Sequence, residues 1–251
     1  MTYKAIISDI DGTLIKSSPN AVPSKRVKEA IAKTIKKGIY FSVASARPYT
    51  MLENLIDDLQ LESPIILNNG AEIYDTRKES TLWESTIPFN IANQLYKILK
   101  SKRVNIDLKR QTLRNPNNLP KDTDVQKFFV YDLSDNEASA LIDELQKKFS
   151  TLNYQKIASY LGDHLISISI SHADATKQHA VLKFAESVNI STREIIAIGD
   201  HYNDFSLFMA CGLRVAMGNA VDDLKAIADY IAPSVDKDGV ATVLEKFILN
   251  S

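Results

Sequence analysis

Two carboxylates, Asp9 and Asp11, stand two residues apart, directly after the apolar run Ala5-Ile6-Ile7 and before Gly12-Thr13. The run has the length and β-branched content of a buried strand, and the glycine ends it. Acids crowded at the end of such a strand repel each other unless a cation neutralises them, and hard oxygen donors suit Mg²⁺. A hydroxyl, Ser45, follows a second apolar run over 39–44, and a third run over 194–198 ends in Gly199-Asp200, with Asn203-Asp204 close behind. Lys177 lies in the first turn of a helical pattern. In open α/β sheets ligands bind outside the carboxyl ends of the strands, and the helix N-termini that follow favour phosphate. A cation site beside an anion site is what phosphoryl transfer needs.

The elements that must position these groups alternate between strand and helix. Strand 3–8 is followed by a helix from about Ser24 with Val27, Ala30, Ile31 and Ile35 on one face, then by strand 39–44. Pro48 opens a second helix with the stripe Leu52, Leu55, Ile56 and Leu59, and strand 64–67 completes a βαβαβ pattern, predicting a parallel sheet. A hairpin over 71–75 and 82–86 comes next. From about Pro88 the rhythm changes to helix 90–102, strands 104–110 and 125–132, helix 134–148, and strands 152–160 and 164–171. Ser134 and Glu137 carry a capping-box signature, and Ile166, Ile168 and Ile170 alternate with Ser167, Ser169 and Ser171 as in a half-exposed antiparallel strand. The first rhythm then resumes. A helix from about Asp174 is expected to bury Val181, Leu182, Ala185 and Val188, and one from about Asn203 to bury Phe205, Phe208 and Met209. Strand 213–217 ends in Gly218-Asn219-Ala220, and a helix over 221–228, a short strand at Tyr230-Ile231 and a helix over 239–249 follow. The expected fold is α/β, a Rossmann-like parallel-sheet core of residues 1–86 and 174–251 with an inserted α+β cap domain of residues 87–173.

Composition narrows the function class. Thirty basic against 31 acidic residues in 251 give a formal net charge of −1, which provides no global field for nucleic acid or an anionic membrane. The single cysteine, Cys211, excludes an internal disulfide and a thiolate metal cluster. No apolar stretch approaches the roughly 20 residues that span a bilayer, and no secretory leader is legible, so the chain is expected to be cytoplasmic. The four histidines, His164, His172, His179 and His201, lack metal-site spacing.

The run DIDGTL at residues 9–14 resembles the first motif of the haloacid dehalogenase superfamily of phosphotransferases. Ser45-Ala46-Arg47, Lys177 and Gly199-Asp200 with Asn203-Asp204 extend the resemblance to its Cof-type phosphatases, which carry a large α/β cap. The resemblance implies that Asp9 is the nucleophile and forms an aspartyl phosphate, and that Asp11 is the general acid and then the base. It gives Ser45, Asn203 and Lys177, with Ile10, Ala46 and Arg47, to the phosphoryl group. The implied Mg²⁺ site uses Asp9, the backbone carbonyl of Asp11, and Asp200, with Asp204 supporting the metal or orienting Lys177. Ala46 and Gln178 stand where family members commonly have glycine, which bears on the tightness of those loops. The cap is short for the type, which implies a small or open substrate pocket.

The function so implied is hydrolysis of small phosphorylated metabolites, of sugar phosphate or phosphoglycolate type, by a monomer or homodimer without nucleic-acid or membrane partners. A phosphomutase on the same core and a non-catalytic regulator that binds phosphometabolites are the alternatives. Specificity is expected from Arg110 or Arg114, which with Lys121 surround a turn at residues 115–118 in the insert.

Overall fold

The computed structural model of the chain describes residues 2–18, 21–108, 111–158 and 165–250; Arg110 and His164 lie outside them. Strand β1 (Ala5–Ser8) is buried along its whole length. Helix α1 (Lys25–Lys36) starts where Ser24 Oγ accepts the Val27 N–H at 3.2 Å, an N-cap bond, and buries Val27, Ala30, Ile31 and Thr34. After β2 (Tyr40–Val43), Pro48 opens a 3₁₀ turn, Tyr49–Met51, before the short α2 (Glu53–Asp58). Leu52, Ile56 and Leu59 are buried there. Strands β3 (Pro64–Leu67), β4 (Glu72–Asp75) and β5 (Ser80–Glu84) follow. Next come α3 (Phe89–Leu99), β6 (Val104–Leu108), β7 (Gln111–Arg114), β8 (Lys127–Leu133), α4 (Asp135–Lys148), β9 (Leu152–Ala158) and β10 (Ile166–His172). The chain ends with α5 (Lys177–Ser187), β11 (Ile195–Gly199), α6 (Phe205–Ala210), β12 (Leu213–Ala216), α7 (Asp222–Ala226), β13 (Tyr230–Ile231) and α8 (Gly239–Leu244), which runs on as a π-helical turn over Glu245–Leu249.

These elements form two compact units, Met1–Trp83 with Thr176–Ser251, and Glu84–Ala175. In the first, five parallel strands lie in the order β13-β12-β11-β1-β2, so β1 and β11 are central and the strand ends carrying Asp9 and Asp200 are neighbours. Both strands are buried throughout, which is why they read as continuous apolar runs.

Strand β3, expected as the third parallel strand, runs parallel beside β2 but makes most of its pairing elsewhere. β3 meets the parallel sheet through a parallel bridge from Ala44 to Ile66, the Ser45 N–H bond to the Ile66 carbonyl at 2.9 Å, and the Ser42 hydroxyl, which donates to the Pro64 carbonyl at 2.6 Å. Its full register is antiparallel with β4, in a separate sheet ordered β3-β4-β5. The cause is local: Asn68, Asn69 and Gly70 take φ of +51°, +57° and +99°, and three left-handed residues in a row reverse the chain at once. Two expected core residues are also exposed, Leu182 at 43% and Met209 at 65%. On α5 the buried face is Ala180, Val181, Phe184 and Ala185, and Leu182 falls off its side. On α6 it is Leu207 and Phe208.

In the second unit an antiparallel sheet has the order β7-β6-β8-β10-β9. One side is apolar: Ile106, Phe128, Val130, Ile168 and Ile170 pack with Leu95 and Leu99 of α3 and Leu141 and Leu145 of α4. The Ser134–Glu137 capping box is present at the start of α4. Strand β7 was not expected, and it puts Arg114 on an edge strand rather than in a loop, because Ile106 pairs with Leu113 and Asn105 with Arg114. Ser167, Ser169 and Ser171, read as half-exposed, are only 2%, 4% and 6% exposed; Ser169 pairs with Phe129 and Gln155, and Ser171 with Lys127 and Asn153. Among the described residues no helix is long and apolar enough to cross a membrane.

Candidate active site

The site starts from the β1 loop. The Asp9 N–H continues the parallel ladder to the Ile198 carbonyl at 2.8 Å. The Ile10 carbonyl then accepts from the N–H groups of Thr13, Leu14 and Ile15, which closes a tight turn, and the Ile10 side chain is fully buried. Only the backbone of Ile10 is left to meet a ligand. Gly12 has φ +83°, and a Cβ there would lie 2.2 Å from Asp200 Oδ2. The glycine is what lets the β1 loop and the β11 loop touch.

Asp200 is held by that contact and by Thr13, whose hydroxyl donates to Oδ1 at 2.8 Å. Asn219, at the end of β12, donates to the Gly12 carbonyl at 2.8 Å and to Asp200 Oδ2 at 3.5 Å, while its own oxygen accepts the Val235 N–H at 2.9 Å. Asp204 is fully buried and spends both oxygens: Oδ2 accepts the backbone N–H groups of Asp200 at 2.9 Å and His201 at 3.1 Å, and Oδ1 accepts from Lys177.

Lys177 is the first residue of α5, whose N-cap is Thr176, and it is 1% exposed. Its Nζ donates to Asp9 Oδ1 and to Asp204 Oδ1, both at 2.6 Å. The reversal at 68–70 fixes this lysine from below, because a Cβ on Gly70 would meet the Thr176 carbonyl oxygen at 2.2 Å and Lys177 N at 2.7 Å. Asn203 ties the same reversal to the β11 loop through a 3.3 Å bond to the Asn69 side-chain oxygen.

One ammonium therefore faces three carboxylates, Asp9, Asp200 and Asp204, whose oxygens lie within 4.8 Å of one another, all buried. Burial, then the charge of Asp204, push the Asp9 carboxyl well above the usual range, with Lys177 opposing. Burial also pushes Asp200 up to about 6 against the Thr13 hydrogen bond. Burial alone would lower the pKa of Lys177, but the charges of Asp204 and Asp9 and their hydrogen bonds outweigh it and hold the ammonium above its ordinary value. The excess of buried negative charge and the all-oxygen donor set fit a hard divalent cation.

Asp11 stands apart from this cluster. Its two oxygens are gripped by the Arg47 guanidinium, Nε to Oδ2 at 2.9 Å and Nη2 to Oδ1. The Asp11 backbone carbonyl, the metal ligand the resemblance implies, takes no part in this pairing. Arg47, expected at the phosphate, is likewise paired with Asp11. Ser45 is buried beside them, its Oγ accepting the Arg47 N–H at 3.1 Å, and Ala46 is half-buried between the two. Thr13, Asn69 and Asn219 complete the site and were not singled out from the sequence. Asn219 does carry a signal, its place at the end of a parallel strand. Among the described residues His172, His179 and His201 belong to no metal-capable cluster.

The whole arrangement has known counterparts. A model of haloacid dehalogenase-like hydrolases matches residues 6–244. The chain belongs to that family. Along its length this hydrolase is similar to curated phosphatases. It is 28% identical to the 5-amino-6-(5-phospho-D-ribitylamino)uracil phosphatase YwtE of Bacillus subtilis, covering 98% of each chain. It is 24% identical to the pyridoxal phosphate phosphatase YbhA of Escherichia coli, covering 99% of this chain and 100% of the relative. A haloacid dehalogenase-like hydrolase from Bacteroides thetaiotaomicron superposes with a TM-score of 0.83 at 24% identity, over 98% of this chain and 100% of the other. The chain is thus a phosphatase-type enzyme of this family.

Proposed function

We propose that this hydrolase cleaves phosphomonoesters of small metabolites in a Mg²⁺-dependent reaction that passes through an aspartyl phosphate on Asp9. The observation that carries the reading is the buried Lys177 ammonium between Asp9 and Asp204. A cation buried against Asp9 holds that carboxylate by one oxygen, and Asp9 Oδ2 accepts no hydrogen bond among the described residues. That oxygen is the one available to a phosphorus atom or a metal. Asp9, Asp200 and the Asp11 carbonyl would hold Mg²⁺, which when bound offsets charge on phosphoryl oxygens. Small phosphomonoesters are also what the named relatives act on.

In the first step an Asp9 oxygen bonds to phosphorus while the ester oxygen leaves with a proton from Asp11. In the second, water attacks the acyl phosphate and gives its proton to Asp11, releasing inorganic phosphate and restoring Asp9. Asp11 can reach the leaving oxygen only once the Arg47 fork opens, which frees the guanidinium for the phosphoryl oxygens. Ser45 and Asn203 donate to the same oxygens. The unit Glu84–Ala175 serves as the cap that selects the leaving group. The reading is tested by turnover of p-nitrophenyl phosphate with Mg²⁺ and by trapping the phosphoenzyme with hydroxylamine. Turnover that survives Asp9→Asn would sink it.

A further inference from the structure

Helix α1 carries a basic face that the catalytic groups do not use. Arg26, Ala30, Lys33 and Lys37 recur at the four-three-four spacing of a single helix face, with Glu29 and Lys36 beside them. That face and the C-terminal helical run enclose a groove of about 660 Å³, inside the range of roughly 300–1,000 Å³ typical of small-molecule sites. Two cross-links tie its walls together. Arg26 forks Glu245, Nε to Oε1 at 3.1 Å and Nη2 to Oε2 at 2.6 Å. At the other end of α1, about 16 Å along the helix, Lys37 Nζ donates to the carbonyls of Ile248 at 2.8 Å and Leu249 at 3.0 Å. Those carbonyls close the π-helical turn, where the Asn250 N–H bonds to the Glu245 carbonyl at 3.0 Å. Such turns are rare and concentrate at functional sites. Ala30, 4% exposed, and the half-buried Leu249 give the groove an apolar lining between the charges, and the small Ala30 side chain leaves it open.

The charges in the groove do not balance. Four cations and two carboxylates line it, and both carboxylates are already paired, Glu245 with Arg26 and Glu29 with Lys25 at 3.9 Å. Lys33 and Lys36 pair with no carboxylate among the described residues. Lysines in the last turn of a helix offset its dipole, but that needs no groove in front of them. We propose that this groove binds a small soluble polyanion, with phosphate or carboxylate groups spaced to meet Lys33 and Lys36, whose positions three apart set their side chains about 5–6 Å from each other. The cross-links at Arg26 and Lys37 span both ends of the groove, which suits a compact ligand rather than a polymer that must run on past them. The ligand is an effector and not the substrate. Lys36 and Lys37 precede β2 whereas Ser45 follows it, so this end of the groove lies at the sheet edge opposite the one that carries Asp9 and Ser45.

The probe is tripolyphosphate, titrated into the full chain in EDTA at about 150 mM salt, so that exposed charges are screened as they are physiologically. Calorimetry should show one equivalent bound per chain, and amide shifts in isotope-labelled protein should centre on Lys33, Lys36 and Asn250. Lys33→Gln/Lys36→Gln should weaken binding at least about tenfold and remove the rise in Tm that the ligand gives the wild type. Lys25→Gln/Lys28→Gln takes the same charge from the same helix outside the groove, and should bind within about twofold of the wild type, because exposed charges at a distance contribute little. Equal losses in the two variants, shifts confined to the Asp9–Thr13 loop and Ser45, or no binding at all overturn the proposal. A single-stranded oligonucleotide that shifts the same amides and binds more tightly than tripolyphosphate also overturns it, since α1 would then be an open basic stripe. None of these readouts involves turnover, so they judge the groove separately from the phosphatase reading.

Discussion

Replacing Lys177 with methionine isolates the electrostatics of the buried cluster. Methionine keeps an unbranched side chain of similar length, so packing changes little while the ammonium shared by Asp9 and Asp204 is lost. Three buried carboxylates then have no compensating cation. Breaking a buried ion pair by removing one partner costs about 3–5 kcal/mol. For a domain of this size each kcal/mol moves Tm by about 2–4 °C, so the variant should melt roughly 6–20 °C lower in EDTA. A cation that binds the folded state alone stabilises by RT ln(1 + [L]/Kd), about 2.7 kcal/mol at a hundredfold excess over Kd. Without the ammonium the cluster is one charge more negative and should bind Mg²⁺ more tightly. Mg²⁺ should therefore raise the variant's Tm by more than it raises that of the wild type. Differential scanning calorimetry of both proteins, in EDTA and in saturating Mg²⁺, measures the difference. An equal Tm loss in the two buffers would refute the argument, because the carboxylates would then not share a cation site.

Further outcomes follow from the same geometry. Exhaustive EDTA treatment should abolish turnover and added Mg²⁺ should restore it, and Asp200→Asn should weaken metal binding and activity together, read by calorimetric titration and rate. Gly12→Ala and Gly38→Ala separate close approach from backbone strain. Both positions have φ near +80°, but a Cβ at Gly38 meets nothing within 4 Å while one at Gly12 strikes Asp200. Gly38→Ala should cost only about 1–2 kcal/mol, and Gly12→Ala should also lose metal affinity and activity. Asp9→Asn should abolish turnover of every substrate and form no phosphoenzyme. Asp11→Asn should give a burst of nitrophenolate from p-nitrophenyl phosphate and then slow turnover, because that leaving group departs without a proton while the acyl phosphate lacks its base.

The parallel core was legible because burial on both faces leaves a simple trace, short continuous apolar runs such as Ala5–Ser8 and Ile195–Gly199. Elements stabilised by pairing rather than by burial left none. Strand β7, Gln-Thr-Leu-Arg, is an edge strand with little hydrophobic signal, and its register with β6 defines it. The reversal at Asn68-Asn69-Gly70, which turns β4 back onto β3, was not read from the sequence. Leu182 and Met209 show the same limit from the other side: an apolar residue on a short helix is assigned to the core by type, and only the neighbouring elements decide its face.

At the site, residue types were readable and partnerships were not. Asp9 and Lys177 lie 168 positions apart, and nothing local tells a buried helix-start lysine from a solvated one. What decides it is tertiary: the start of α5 packs against the 68–70 reversal, and the Lys177 side chain, 1% exposed, ends on Asp9 and Asp204. Asp11 and Arg47 were each assigned to the substrate through the family resemblance. A carboxylate and a guanidinium brought to one sheet edge are also complementary to each other, and the structure pairs them. Asp204 illustrates the reverse case. Read from sequence it is a metal ligand or a brace, and the structure shows the contacts of a brace. A carboxylate with no exposed surface needs every oxygen satisfied, and two backbone N–H groups and one ammonium already do so. Asp204 thus braces Lys177 and the backbone of the loop that carries Asp200.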